Sequence, residues 1–158
     1  MRRLLSALVT ASLALIAGGA LARAAAVYNA ALVGSQTASS ESEGVALRLN
    51  ASGDLHGMLQ LTLRHEGGNV TGGSWTLTVL PPNADASSSE KGRLTGGVAG
   101  GAVTLDEHGI VTSAASVRLT VQGGAGVYAG VTAGGGTVSL SGDPENATKL
   151  GGPLVLDF

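Results

Sequence analysis

The chain has 158 residues, 44% hydrophobic and 13% charged, with 26 glycines, no cysteine and only four aromatic residues: Tyr28, Trp75, Tyr128 and Phe158. The missing cysteine excludes disulfide stapling, thiol chemistry and lipoprotein-type acylation. Removing Arg2, Arg3 and Arg23 with a leader leaves six Lys and Arg against eleven Asp and Glu, a net charge of about −5. No basic cluster remains to hold a phosphate backbone, so nucleic acid is not an expected partner.

The amino terminus has the three regions of a secretory signal peptide. A basic start at Arg2-Arg3 precedes an apolar run over residues 4–16, and Ala-x-Ala options follow at Ala20/Ala22 and Ala22/Ala24. Ser6, Thr10, Ser12 and Gly18-Gly19 interrupt the run before it reaches the ~20 residues a membrane span needs. Residues 1–24 are therefore expected to be a cleaved leader of bacterial type, and residues 25–158 a single exported domain. The destination is periplasmic or extracellular.

Short alternating runs separated by turn chemistry make up the remainder. Residues 27–33 form the first, and the Ser- and Glu-rich stretch 34–44 is expected to be an exposed loop. Residues 45–49 alternate, 50–54 turn, and 55–65 place Leu55, Gly57, Leu59, Leu61 and Leu63 on one face. Such period-two alternation marks a half-buried strand. Glu66-Gly67-Gly68-Asn69 is a hairpin connection, and residues 70–80 return with Trp75, Leu77 and Val79 on one face. Pro81-Pro82 ends that strand, and residues 83–90 form the longest loop. Strands are then expected over 91–99, 102–107, 110–122, 137–141 and 154–158, with turns at Gly100-Gly101, His108-Gly109 and around Asp143-Pro144. No 3.6-residue stripe competes. Eight or nine short strands with brief connections give an all-β fold, an antiparallel barrel of about eight strands, with a β-sandwich as the alternative.

The stretch from Leu119 to Gly142, LTVQGGAGVYAGVTAGGGTVSLSG, is the most distinctive. Two alternating runs meet at a glycine-dense corner, and Gly123, Gly124, Gly126 and Gly130 are expected to be architectural, through positive φ or close backbone approach. The corner resembles the GGTGxYAGxTGxG pattern of allene-oxide-cyclase-like and dirigent-like β-barrels and their small secreted bacterial relatives. Ala125 stands where that pattern has Thr, and Ala133 where it has Gly; the resemblance spans about twenty residues. It implies a barrel. It carries no catalytic residue across, because the corner is architectural in that family.

Groups capable of chemistry are sparse. Asp106-Glu107-His108 is the densest cluster, yet one His and one carboxylate are too few for a zinc site, and Gly109 directly after points to a solvated hairpin turn. His65-Glu66 has the same character, and His56 falls on a polar face. There is no nucleophile elbow, no phosphate loop and no expected cofactor. Three Asn-x-Ser/Thr sites, at Asn50, Asn69 and Asn146, are chance matches in a Ser- and Thr-rich chain. A final strand ending in Phe158 suggests an outer-membrane barrel, but the aromatic girdles of such barrels are missing and membrane insertion is not expected.

Three functions remain open. The first is a secreted, non-catalytic barrel holding a small apolar ligand, with Trp75, Tyr128 and Tyr28 as binding residues. The second is an extracellular structural or surface-associated protein. The third, implied by the resemblance alone, is a cyclase- or dirigent-like enzyme. A cavity lined by the aromatic residues favours the first, an interior filled by leucine and valine the second, and several buried ionisable groups facing one cavity the third.

Overall fold

The alternation read from the sequence closes on itself. In the computed structural model, which describes residues 25–40, 44–82 and 89–158, eight antiparallel strands form a closed barrel. They are β1 (Val27–Ser40), β2 (Gly44–Gly53), β3 (Gly57–Glu66), β4 (Asn69–Val79), β5 (Gly92–Leu105), β6 (Val111–Gly126), β7 (Gly134–Asp143) and β8 (Asn146–Asp157). Each strand pairs with its neighbours in sequence, and β8 returns to β1 with Val27 opposite Asp157. Closure decides for the barrel over the sandwich and leaves no open sheet edge. The expected leader, residues 1–24, lies outside the described residues.

Inward positions carry the core. Leu47, Leu49, Leu59, Leu61, Leu63 and Leu77 are all buried, while Arg48, Gln60 and Arg64 between them are exposed. Pairing sets these side chains in rings around the barrel: Leu47 lies opposite Leu61, and Leu61 opposite Trp75. Trp75 then faces Gly96. The indole fits because that glycine lacks a side chain: a Cβ on Gly96 would sit 2.6 Å from Trp75 Nε1. The indole N–H donates to the Thr120 carbonyl at 3.2 Å, beside the bulge at Thr95/Gly96. Burial of a tryptophan this complete, at 2% exposure, requires such a partner for its one polar atom.

Several connections differ from expectation. The stretch read as a loop after Val33 continues β1 to Ser40, with a bulge between Gln36 and Ala38. Its polar composition has a cause at Gln36, whose amide reaches the β5–β6 turn. Nε2 donates to Gly109 O at 3.0 Å, and Oε1 accepts from Val111 N–H at 2.8 Å. Gly100-Gly101 does not reverse the chain. Both glycines have φ near +145° and bend β5 through consecutive bulges, so the two expected strands are one. β2 runs on to Gly53, past the turn expected from Asn50. β8 begins at Asn146 instead of Leu154, directly after a Pro144-Glu145 turn held by Asp143 Oδ1, which accepts from Glu145 N–H at 2.9 Å. β6 runs on through the first corner glycines to Gly126 and β7 already begins at Gly134, so the break between them is shorter than expected. The Gly67-Gly68 hairpin, the end of β4 before Pro81 and the His108-Gly109 turn stand as expected.

The corner glycines divide into two kinds. A Cβ at Gly124 would collide with the Tyr128 carbonyl, and Gly126 has φ +63° with the Lys91 carbonyl 2.5 Å from where its Cβ would be. Gly123 has only ordinary contact with Thr95, and nothing lies within 4 Å of a Cβ at Gly130. Gly126→Val is expected to cost more than ~2 kcal/mol through left-handed strain and backbone collision, whereas Gly130→Ala changes stability by under ~0.5 kcal/mol. Chemical denaturation of the two variants checks this; coincident midpoints would show that the corner does not depend on Gly126.

Candidate functional site

One end of the barrel gathers what the composition scatters. It is formed by the start of β1, the β2–β3 and β4–β5 connections, the β6–β7 corner and the end of β8. Leu55, between β2 and β3, is fully buried among the core residues there. Above the core, Tyr28 and Phe158 stack with ring centroids 4.6 Å apart and planes 12° from parallel. Tyr128 meets Phe158 edge-on at 5.8 Å. Three of the four aromatic residues thus form one cluster, although they come from β1, the corner and the residue after β8.

The local sequence explains how Tyr128 is held. After the left-handed Gly126, the chain winds through successive turns in which Ala129 N–H donates to Gly126 O and Val131 N–H to Tyr128 O. The Tyr128 ring comes down over Gly92, where a Cβ would stand 2.8 Å from the ring Cδ2. A glycine at the start of β5 therefore makes room for the aromatic ring. Beside the ring is an open cleft of about 390 Å³ lined by Tyr28, Val127, Tyr128, Val131, Thr132 and Phe158 among others. Partial burial pushes the Tyr128 phenol above its ordinary value of 10.0, and the nearby Tyr28 phenolate charge adds to the effect. At neutral pH that hydroxyl is protonated and able to donate.

Of the three expected binding residues, the fold brings Tyr28 and Tyr128 together and holds Trp75 apart. Trp75 lies within the packed interior and lines neither this cleft nor the adjoining hollow described below. Phe158 was missed as a site residue because its position after a terminal strand suggested a membrane motif; the pairing of β1 with β8 is what sets it beside Tyr28. No charged or polar residue is buried among the described residues, and none of the described His, Asp or Glu residues form a group that could hold a metal.

The Asp106-Glu107-His108 cluster is a turn at the opposite end. Asp106 Oδ1 accepts from the N–H groups of His108 and Ile110, both at 2.9 Å. His108 Nδ1 lies 3.9 Å from Glu107 Oε1, both side chains being well exposed. The cluster does what a short acidic side chain commonly does before a glycine: it ties off the turn.

No family model matches the chain, and neither do any curated protein or solved structure in the comparisons made. The class established is the closed, eight-stranded antiparallel barrel with a filled interior.

The hydrogen bond from Ile110 N–H holds the Asp106 carboxyl below its ordinary value of 3.8; desolvation opposes it, and the N–H and charge of His108 add smaller lowering effects. A depressed folded value stabilises the protein above the unfolded value, and that contribution disappears as pH falls through the folded one. Asp106→Asn keeps the acceptor but loses the charge. The stability gap between wild type and Asp106→Asn should be constant near neutrality and shrink below about pH 4. Urea melts across pH 2–7 measure it, and a gap independent of pH would contradict the assignment.

Proposed function

We propose that this protein is a secreted, non-catalytic binding barrel whose small ligand rests in the aromatic cleft at the barrel end. The observation that carries this reading is the convergence of Tyr28, Tyr128 and Phe158 around the 390 Å³ cleft. Apolar pockets with a few polar groups are the usual form of a small-molecule site. Stacked and edge-on rings favour a flat, largely apolar ligand, and the Tyr128 hydroxyl supplies one donor to orient it. In this reading Trp75 is structural. A second reading, the extracellular structural protein, is supported by the interior packed with leucine, valine and one tryptophan. The glycine corner, set between two strands of a closed barrel, supports kinship with the allene-oxide-cyclase-like and dirigent-like superfamily. No observation on the described residues favours turnover.

Export follows from the basic, apolar and small-residue regions of the leader. The outer wall supports an aqueous destination: Arg48, Gln60, Arg64, Arg93, Arg118 and Gln122 are exposed on the strands while leucines point inward, the reverse of a lipid-facing barrel. The exported protein should begin between Arg23 and Val27. Intact-mass measurement settles the point, and retention of residues 1–22 on the exported protein would refute it.

Ligand binding is tested by titrating 2-phenylethanol, monoterpenoid alcohols and fatty acids into protein labelled with ¹³C at its two tyrosines. For a ligand of ~10 heavy atoms at ~0.5 kcal/mol per atom, dissociation constants of ~0.2 mM are expected. Shifts of both tyrosine rings should saturate, and Tyr28→Ala should weaken binding without lowering stability by more than ~1 kcal/mol. If no member of the panel moves either ring, the structural reading replaces this one.

A further inference from the structure

Beside the aromatic cleft, and sharing Tyr128 with it, lies a second hollow of about 380 Å³ lined by Asp54, His56, Leu80, Pro82, Lys91 and Tyr128 among others. The two differ in chemistry. The first holds rings and valines; the second adds Asp54, His56 and Lys91 to the shared Tyr128 within an otherwise sparsely charged chain. We infer that the two hollows form one bipartite site for a ring-bearing monocarboxylate, with the ring against Tyr28 and Phe158 and the carboxylate turned past Tyr128 toward Lys91. This rests on the binding reading given above and names the class of ligand.

Three observations support it. Lys91 is anchored by its backbone to both sides of the site: its N–H donates to Val79 O at 2.9 Å and its carbonyl accepts from Val127 N–H at 3.2 Å. The residue that bears the cation is thus hydrogen-bonded to the corner that carries Tyr128. Among the described residues Lys91 makes no salt bridge, whereas the neighbouring Arg93 is paired with Glu90 at 2.7 Å. The acidic group lining the hollow, Asp54, has one oxygen committed to the backbone: its Oδ2 accepts from Asn29 N–H at 2.9 Å and ties the turn that follows β2 to β1.

Among the described residues, one lysine without a salt bridge and with a carboxylate nearby suits a monoanion better than a phosphate dianion, whose second charge Asp54 would repel. His56 can add a donor, and the Tyr128 hydroxyl, protonated at neutral pH, stands on the boundary. A neutral ring alone fills only half of this surface. A ring carrying an amine would place its charge beside Lys91 and lose affinity to like-charge repulsion.

The test uses four probes of nearly equal shape on the full protein: phenylacetate, phenylacetamide, 2-phenylethanol and 2-phenylethylamine, followed by the tyrosine ring shifts and by calorimetry. At low ionic strength phenylacetate should bind about fivefold more tightly than phenylacetamide, the size expected of a partly solvated ion pair. That ratio should fall toward one in 0.5 M salt, and in Lys91→Met, which keeps the aliphatic stem, the two affinities should converge. Equal affinities in the wild type, a ratio that survives Lys91→Met, or tightest binding of the amine would each overturn the bipartite site. In those cases saturable binding of phenylacetamide or 2-phenylethanol leaves the aromatic cleft standing. Failure of all four probes to bind overturns the bipartite site, and the aromatic cleft then stands or falls by the monoterpenoid alcohols and fatty acids of the wider panel.

Discussion

Eight strands enclose a space that side chains must fill, and a chain with four aromatic residues has little bulk to fill it with. This protein meets the constraint with inward leucines and valines and one tryptophan set opposite a glycine. The Trp75–Gly96 pairing is the point at which volume, hydrogen bonding and backbone geometry agree: the missing Cβ admits the ring, and beside the bulge the Thr120 carbonyl accepts from the indole N–H. A side chain at Gly96 would have to expel the indole, and removing the indole would leave a void larger than the neighbouring leucines could close.

A filled interior has consequences for function. Barrels that bind ligands centrally leave the interior empty and line it with selective groups. Here that volume is taken by the core side chains, and the proposed recognition falls at the barrel end, where Tyr28, Tyr128 and Phe158 concentrate three of the four aromatic residues. The opposite end carries short turns, including the one fastened by Gln36 and tied by Asp106. The two ends are thus chemically distinct: one is knotted by polar side chains bonded to backbone, the other is open and aromatic.

Much of the barrel was legible in the sequence because period-two alternation is a direct image of inside and outside. The inward set of β3 and the Trp75, Leu77 and Val79 face of β4 follow from it without adjustment. The misreadings fall where side chains cease to report position. At Gly100-Gly101 the same residue pair that makes a turn elsewhere makes a bend within a strand, and only the partner strand decides. β1 beyond Val33 is polar on both faces because it serves the barrel rim instead of the core. The site was half legible. Tyr28 and Tyr128 stand out in a chain poor in aromatics, but their meeting at Phe158 depends on β1 pairing with β8, which no local pattern encodes. Trp75 was conspicuous for the same reason, and its burial reflects packing.

That final pairing also places the site in time. Seven of the strand contacts join neighbours in the chain and can form as hairpins, while β1 and β8 must find each other across the whole barrel, the step with the greatest loop-closure cost. Ala26, Tyr28 and Phe158 come from the two sides of that seam, and Ala26 and Phe158 exchange both of their backbone hydrogen bonds across it. The aromatic cleft therefore does not exist in any intermediate with an open seam. It forms only as the seam closes, and a ligand seated there would hold the first strand against the last.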